Sequence, residues 1–222
     1  MIVIIGSRHD ALAAELLACW PAAALCSAED LLSPGWVWRL GGADAARRWV
    51  VQGRVVDDDE VSGVFVRRSA VFAGELAGVH PDDRAYMAAE ATAFVSALLA
   101  RTRARRAQPL IDGAYGDEVL RAERLAQAAR RAAVVLAPFT SRSAAPAEPR
   151  PPKRWVEVVN NEVLDGGSPR QRAIALRLVE ALAWPWAAVA FDAHSRVQGL
   201  ALTRPAAPAT RAALGAWLGA PR

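Results

Sequence analysis

Two adjacent arginines, Arg67 and Arg68, follow the apolar run Val64–Val66, and their position suggests a binding role. The next long segment carries Tyr86 and Glu90 four residues apart, a spacing that puts both on one face of a helix. We predict that these four residues form a ligand or partner surface. Adjacent residues of a strand point to opposite faces, so the arginines form one clamp only if the strand ends between them.

A structural role for the arginine pair is the alternative. One arginine then pairs with the carboxylate of Glu90 or Asp82, while the other faces a cleft. The sequence alone leaves both interpretations open.

A second group of candidate residues clusters oxygen atoms in the run VEVVNNEVLDGG. Its donors are Glu157, Asn160, Asn161, Glu162 and Asp165. Magnesium sites need only one or two carboxylates when phosphates supply further ligands. Strand alternation puts Glu157 and Asn161 on one face and Asn160 and Glu162 on the other. We favour the simpler interpretation, a strand followed by a polar turn before a capped helix.

The composition is that of a globular protein with a core of ordinary size. The chain has 222 residues, of which 53% are hydrophobic and 23% charged. The start, MIVIIGSRHD, lacks the basic segment of a signal peptide, and the apolar runs are too short to span a bilayer. We therefore predict a cytoplasmic location without membrane association. Cys19 and Cys26 show no paired spacing, so both are predicted to be buried thiols.

The net charge of +4 comes almost entirely from arginine, because Lys153 is the only lysine. Lysine is a common point-charge ligand of phosphates. A basic run, Arg101–Arg106, ends a predicted helix, where positive charge complements the helix dipole. No aromatic residues interleave with it, so nucleic-acid binding is only a further alternative.

The first part of the chain predicts a β-α-β start. A strand over Ile2–Ile5 precedes a helix capped by Asp10 and stopped by Pro21, and a strand over Ala23–Cys26 follows. Further predicted elements are an antiparallel ribbon (Trp36–Leu40, Arg48–Gln52, Arg54–Val56), a solvated acidic turn (Asp57–Glu60), a strand (Val64–Arg68) and a helix from Pro81.

The later part predicts alternating strands and helices. They are a strand and turn (Pro109–Gly113), a helix from Asp117 to Arg131, strands Val134–Ala137 and Trp155–Val159, a helix from the capping box Ser168–Gln171 to Leu182, strands Val189–Phe191 and Val197–Leu202, and a helix Ala209–Leu218. Residues 141–152 form a Pro/Ala/Ser-rich linker. We predict two domains, 1–108 and 109–222.

The sequence resembles the ATP-grasp peptide ligases, and among them the microviridin-type (graspetide) ligases of the RimK-like group. The most specific part is Val51–Val56 followed by Gly63–Arg68. The helix Leu120–Ala129 is similar to a lysine-containing helix of that family, and Ala137–Thr140 to its Pro-x-Thr strand end. The resemblance implies an α/β (α+β) fold. A pre-ATP-grasp-like β-α-β sheet with an antiparallel ribbon would precede a reduced ATP-grasp-like part.

Several positions depart from what the resemblance implies. Family members hold ATP between two halves, with lysines on the phosphates and late Asp, Glu and Asn residues on Mg²⁺. Arg121 stands at the lysine position, and the final strand Gly199–Pro205 has no carboxylate or amide. Asp192 is the one match to a late metal ligand. Phosphoryl transfer depends on cations that stabilise the phosphates, so we expect no cofactor and no metal site.

We therefore predict a degenerate, non-catalytic ATP-grasp-like protein. It would act as a binding or scaffold subunit for a peptide or a modifying enzyme in a ribosomal-peptide (natural-product) pathway, and a homodimer is left open. The alternative is a compact, active ATP-dependent carboxylate–amine ligase that requires ATP and Mg²⁺. Its candidates would be Arg121 and Lys153 for phosphates, and Glu157, Glu162 and Asp192 for the metal.

Overall fold

The computed structural model describes residues 1–38, 47–68, 70–108, 122–138, 154–202 and 205–220. Within these ranges the protein has the predicted mixed α/β architecture, with three sheets. The chain forms two compact units, Met1–Val119 together with Leu214–Arg222, and Leu120–Ala213. The predicted division at 108/109 assigned residues 214–222 to the later domain, whereas they group with the first unit. The predicted linker at 141–152 lies outside the described residues.

The first unit contains a parallel sheet and a small antiparallel sheet. Its elements are β1 (Ile2–Ile5), α1 (Ala11–Cys19), β2 (Ala23–Cys26), α2 (Ala28–Leu32), β3 (Val37–Trp38), β4 (Arg47–Val51), β5 (Arg54–Asp57), β6 (Gly63–Val66), α3 (Arg84–Arg101) and β7 (Arg105–Arg106).

The second unit contains an antiparallel sheet and helices. Its elements are α4 (Ala122–Arg131), β8 (Arg154–Val159), β9 (Glu162–Asp165), α5 (Pro169–Leu182), β10 (Trp186–Phe191), β11 (Val197–Ala201) and α6 (Pro208–Gly219), whose residues from Leu214 belong to the first unit.

The parallel sheet has the strand order β2-β1-β6-β7. Ile2 pairs with Ala23 on one side and with Gly63 on the other, so β1 is an inner strand. All four residues of β1 are buried, as its continuous apolar sequence predicts for a parallel strand. The β-α-β start is therefore confirmed.

Alternate residues of β6 pack on opposite faces of this sheet. Val64 and Val66 join a core cluster with Val95 and Leu98 of α3. Phe65 meets Trp20 edge-on, with 5.5 Å between ring centroids. The helix predicted from Pro81 is thus α3, which buries one apolar face against β6.

The ribbon β3-β4-β5 is antiparallel, as predicted. Gln52 and Gly53 both have positive φ angles, 53° and 70°, as a two-residue hairpin turn requires. The prediction that the acidic turn is solvated was wrong for Asp58. This residue is buried, and its Oδ1 accepts a 2.8 Å hydrogen bond from Trp49 Nε1. A buried indole N–H needs an acceptor, and Asp58 supplies it.

The predicted basic helix tail is also corrected. Arg105 and Arg106 form β7, which pairs in parallel with β6. Beyond β7 the buried Gln108 accepts a 2.8 Å hydrogen bond from Val66 N through its side-chain Oε1. A side chain thus supplies the acceptor that a further strand residue would otherwise give.

The second unit has the strand order β11-β10-β8-β9, all antiparallel. The polar turn predicted after Val159 is instead a hairpin. Asn160 and Asn161 have φ angles of 48° and 64°, and β9 follows them. The predicted capping box of α5 is confirmed, because Gln171 N donates to Ser168 Oγ and Ser168 N to Gln171 Oε1. The predicted strand Val134–Ala137 is reduced to an isolated bridge at Leu136.

None of the helices in the described ranges combines the length and apolar character that a bilayer crossing requires.

Gly63 of β6 faces a space too small for a side chain. A Cβ atom there would lie 2.6 Å from the Leu218 carbonyl oxygen, while one at Gly199 would meet nothing within 4 Å. We predict that Gly63→Ala lowers the free energy of unfolding by about 1–3 kcal/mol. The control Gly199→Ala should change it by no more than about 0.5 kcal/mol. Urea unfolding measures both, and equal effects would contradict the packing at Gly63.

Candidate functional site

Arg67 is held by Asp10 at the carboxyl end of the parallel sheet. Its Nε donates to Asp10 Oδ2 at 2.9 Å and its Nη2 to Oδ1 at 3.1 Å. The same carboxylate caps α1, because Oδ1 also accepts from Leu12 N at 3.0 Å. One aspartate therefore fixes both the start of the helix and the arginine that follows β6.

Arg68 fixes the segment that follows it. Its guanidinium pairs with Glu75 and donates to the carbonyl oxygens of Ala70, at 2.8 Å, and Gly6, at 3.4 Å. Glu75 in turn accepts from Phe72 N at 2.9 Å. The Arg68 side chain is only 6% exposed. These contacts tie the loop after β1 to the loop after β6.

The ion-pair partners differ from those expected. The sequence suggested Glu90 or Asp82, whereas the structure gives Asp10 to Arg67 and Glu75 to Arg68. Strand β6 ends at Val66, before both arginines. Tyr86 and Glu90 lie exposed on α3, while the arginines are largely buried. The four residues of the predicted surface thus fall into one buried pair and one exposed pair.

A small cleft opens at the carboxyl ends of the parallel strands, where the loop after β1 and the start of α2 meet the segment 74–77. We call it the carboxyl-edge cleft; its volume is about 280 Å³. It is lined by Ser7, Arg8, His9, Ser27, Ala28, Glu29, Gly74, Glu75 and Ala77. Ligands of open α/β sheets bind outside the carboxyl ends of strands, near the point where the strand order reverses. Strand β1, with β2 on one side and β6 on the other, marks that point here.

An open groove of about 730 Å³ runs between the segment 70–73 and α3. We call it the α3 groove; the α3 residues that line it are Ala85, Ala88, Ala89, Thr92, Ala93 and Ser96. Phe72, in its wall, is 61% exposed, and Tyr86 is 66% exposed. Tyr86 shares a helix face with Ala89 and Ala93. The sequence pointed to Tyr86 but gave no prediction for Phe72, because no motif or regular periodicity marks its segment.

The buried thiol of Cys26 is expected to be unreactive. Burial and the nearby Asp30 carboxylate raise the pKa of Cys26, and Arg68 offsets only part of that rise. The thiol therefore stays protonated, which makes it a poor nucleophile. The prediction of a buried cysteine holds for Cys26 and was wrong for Cys19, which is exposed.

In the second unit, Glu157 binds the backbone that precedes α6. Glu157 is only 2% exposed. Its two carboxylate oxygens accept hydrogen bonds from Ala206 N, at 2.7 Å, and from Ala207 N, at 3.0 Å. Backbone donors near a helix N-terminus stabilise a carboxylate. Both oxygens of this candidate metal ligand are thus engaged by the protein itself.

Asp192 closes the turn between β10 and β11. It accepts from the N–H groups of His194 and Arg196 and pairs with Arg196 Nε at 2.7 Å. Desolvation pushes the pKa of Asp192 up, but the hydrogen bonds from Arg196 and His194 outweigh it and hold the pKa below its usual range. The interactions that stabilise this carboxylate are local.

The remaining candidate residues of the ligase alternative are Glu162, Arg121 and Lys153. Glu162 is exposed on β9, whereas Arg121 and Lys153 lie outside the described residues. Across the described ranges, three or more His, Cys, Asp or Glu side chains do not come together as a metal site would need. The carboxylates of Glu157 and Asp192 each accept hydrogen bonds from backbone N–H groups.

The basic run contributes to the structure of the first unit. Arg105 Nη1 donates to the carbonyl oxygens of Trp217, at 3.3 Å, and Ala220, at 2.5 Å, and Arg106 Nη1 to that of Leu99, at 2.6 Å. Guanidinium groups engaged in this way are poorly placed to neutralise phosphates.

No protein-family profile and no curated protein matches the sequence. Solved structures do match. The macrocyclase MdnC from Microcystis aeruginosa MRC, bound with the precursor peptide MdnA, superposes with a TM-score of 0.65 at 11% identity over 98% of both chains. A RiPP-associated ATP-grasp ligase from Chryseobacterium gregarium, in complex with ADP and a leader and core peptide, gives 0.63 at 9% identity over 100% of this chain and 97% of that one.

The ATP-grasp ligase PsnB, complexed with a minimal precursor, gives a TM-score of 0.56 at 12% identity over 91% of this chain and 90% of that one. These likenesses establish the fold. The chain has the fold of ATP-grasp ligases associated with ribosomal peptides, so the resemblance predicted from the sequence is confirmed at that level.

The Arg68–Glu75 pair should behave as a coupled unit. We predict that Arg68→Met lowers the free energy of unfolding by about 2–4 kcal/mol, because it strands Glu75 and two carbonyl oxygens. The double variant Arg68→Met/Glu75→Gln should lose less than the sum of the two single variants, since no unpaired charge remains. Urea unfolding of the four proteins measures the coupling, and additive losses would contradict it.

Asp192 should make the stability of the fold depend on pH in the acidic range. Its pKa is lower in the folded than in the unfolded state, so its contribution is present above the unfolded value of about 3.9 and is lost as the pH falls through the folded value. We predict that Asp192→Asn is less stable than the wild type at pH 6 and that this difference shrinks on acidification. Thermal unfolding across the acidic range measures it, and a constant difference would refute the prediction.

Proposed function

We propose that this chain is a non-catalytic ATP-grasp-like protein that binds a peptide in a ribosomal-peptide pathway. It serves there as a binding or scaffold subunit, for the peptide or for the enzyme that modifies it. The observation that carries the proposal is the α3 groove, an open groove with the exposed ring of Phe72 in its wall and exposed Tyr86 next to the lining residue Ala85 on α3. The peptide complexes of MdnC and PsnB support a peptide as its occupant.

The chemistry of the α3 groove suits a peptide. Its helix wall consists of alanine, serine and threonine, so another backbone can approach closely. Phe72 and Tyr86 offer exposed rings, and aromatic side chains are enriched among the residues that dominate binding energy. Glu90, one turn from Tyr86, adds a negative charge that favours a basic residue in the peptide.

The non-catalytic half of the proposal rests on the carboxylates. Glu157 and Asp192, two of the candidate metal ligands, are each held by backbone N–H groups of the same unit. Mg²⁺ at either carboxylate would compete with these backbone donors for the same oxygens. The active ligase remains the second candidate, because the Chryseobacterium ligase was solved with ADP.

A peptide-binding assay tests the groove. The probes are fluorescein-labelled peptides encoded beside the gene, with fluorescence anisotropy as the readout. We predict that Phe72→Ala/Tyr86→Ala weakens binding at least about tenfold, or about 1.4 kcal/mol. The matched control is Trp155→Ala, which removes an exposed aromatic ring from the second unit. Equal affinities of the double variant and the control would overturn the groove as the binding site.

Calorimetric titration with MgATP tests the catalytic alternative on the same protein. We expect no binding heat at millimolar ATP and no ATP hydrolysis with the peptide present. If the protein hydrolyses ATP and the Glu157→Gln variant does not, our proposal is wrong and the chain is an active ligase. A homodimer and a cytoplasmic location are further proposals, which light scattering and cell fractionation test.

A further inference from the structure

The carboxyl-edge cleft is separate from the α3 groove, and the proposed peptide does not occupy it. It lies where three chain segments meet, after β1, after β2 and around Glu75. The Arg67–Asp10 and Arg68–Glu75 pairs hold the loop after β1 in place. The cleft is therefore built on a rigid base at the position where open α/β sheets bind small molecules.

Two opposite charges stand at the cleft. Arg8, in the loop after β1, and Glu29, in the first turn of α2, form an ion pair, with 60% of each side chain exposed. Exposed pairs of this kind contribute only about 0–1 kcal/mol. A ligand that carries both charges can replace the pair at little cost, because each side chain exchanges one partner for another.

The other residues that line the cleft restrict the chemical class of ligand that it can bind. Ser7 provides a hydroxyl group and His9 an imidazole beside Arg8. Glu29 and Glu75 are carboxylates, which repel a doubly charged anion such as phosphate. The volume of about 280 Å³ is just under the lower end of small-molecule sites, about 300 Å³. The ligand should be small, polar and near neutral in net charge, with separated positive and negative groups.

We propose that the carboxyl-edge cleft binds a small zwitterion of the α-amino-acid class, either a free amino acid or a dipeptide. Its carboxylate binds the Arg8 guanidinium and the Ser7 hydroxyl group, and its ammonium group binds the Glu29 carboxylate. The charged hydrogen bonds replace the Arg8–Glu29 pair with two pairs of the same kind. This site is independent of the peptide groove, so either proposal can fail without the other.

Nuclear magnetic resonance of the full chain tests the proposal. The probes are the standard amino acids, glycylglycine, acetate, methylamine and inorganic phosphate, each at concentrations on the order of 10 mM. We expect at least one zwitterion to shift the amide signals of residues 7–9 and 27–29. Acetate and methylamine, which carry one charge each, should bind at least about tenfold more weakly. The comparison of amino acids with glycylglycine separates the two sources of the ligand.

Variants locate the contacts. Arg8→Gln and Glu29→Gln should each weaken the zwitterion at least about tenfold, while Arg54→Gln, at an exposed arginine of β5, should leave its affinity unchanged. Both side chains are largely exposed, so the variants should fold, and their amide spectra verify it. No shift with any zwitterion would overturn the proposal. So would phosphate binding more tightly than every zwitterion, or affinity that survives both substitutions.

Discussion

The first unit depends on how the carboxyl edge of its parallel sheet is held. A strand that ends there leaves backbone groups and loops that the sheet no longer fixes. Two consecutive arginines after β6 supply the links, Arg67 to the cap of α1 and Arg68 to Gly6, Ala70 and Glu75. Since guanidinium has five donors in a rigid fork, one side chain can fix several loops. The carboxyl-edge cleft and the α3 groove are both bordered by segments that Arg68 contacts.

The second unit shows carboxylates used for architecture. Glu157 holds the backbone before α6, and Asp192 closes a hairpin. Each carboxylate has its hydrogen-bonding capacity used within the unit, and these hydrogen bonds contribute to stability. Both carboxylates thus have a structural role in this unit. A sequence match to Asp192 alone therefore gives little information about activity.

Local signals made much of the fold predictable from the sequence. The apolar run of β1, the Asp10 cap and the Ser168 capping box depend on neighbours in the chain, and all three were confirmed. The hairpin at Asn160 was missed although asparagines tolerate positive φ angles. The sequence predicted a polar turn at the Asn-Asn pair but not strand β9, which follows the turn and completes the hairpin.

The candidate site was harder to predict, because it depends on contacts between distant residues. Arg67 and Asp10 are 57 positions apart, and Asp10 also looked fully used as a helix cap. Strand β7 consists of two arginines, a composition that gives no strand signal. Its pairing is decided by the backbone of β6 and by the carbonyl oxygens that receive Arg105 and Arg106. Tertiary context, and not local propensity, selected these partners.

The contrast between the two cysteines has a practical consequence. Cys26 is enclosed in the core and remains a thiol, whereas Cys19 lies exposed at the end of α1. A maleimide reagent would therefore modify one defined position of the native chain without any engineered substitution. The protein carries its own attachment point for a fluorophore or spin label. Modification of Cys26 would in turn report that the core around the parallel sheet had opened.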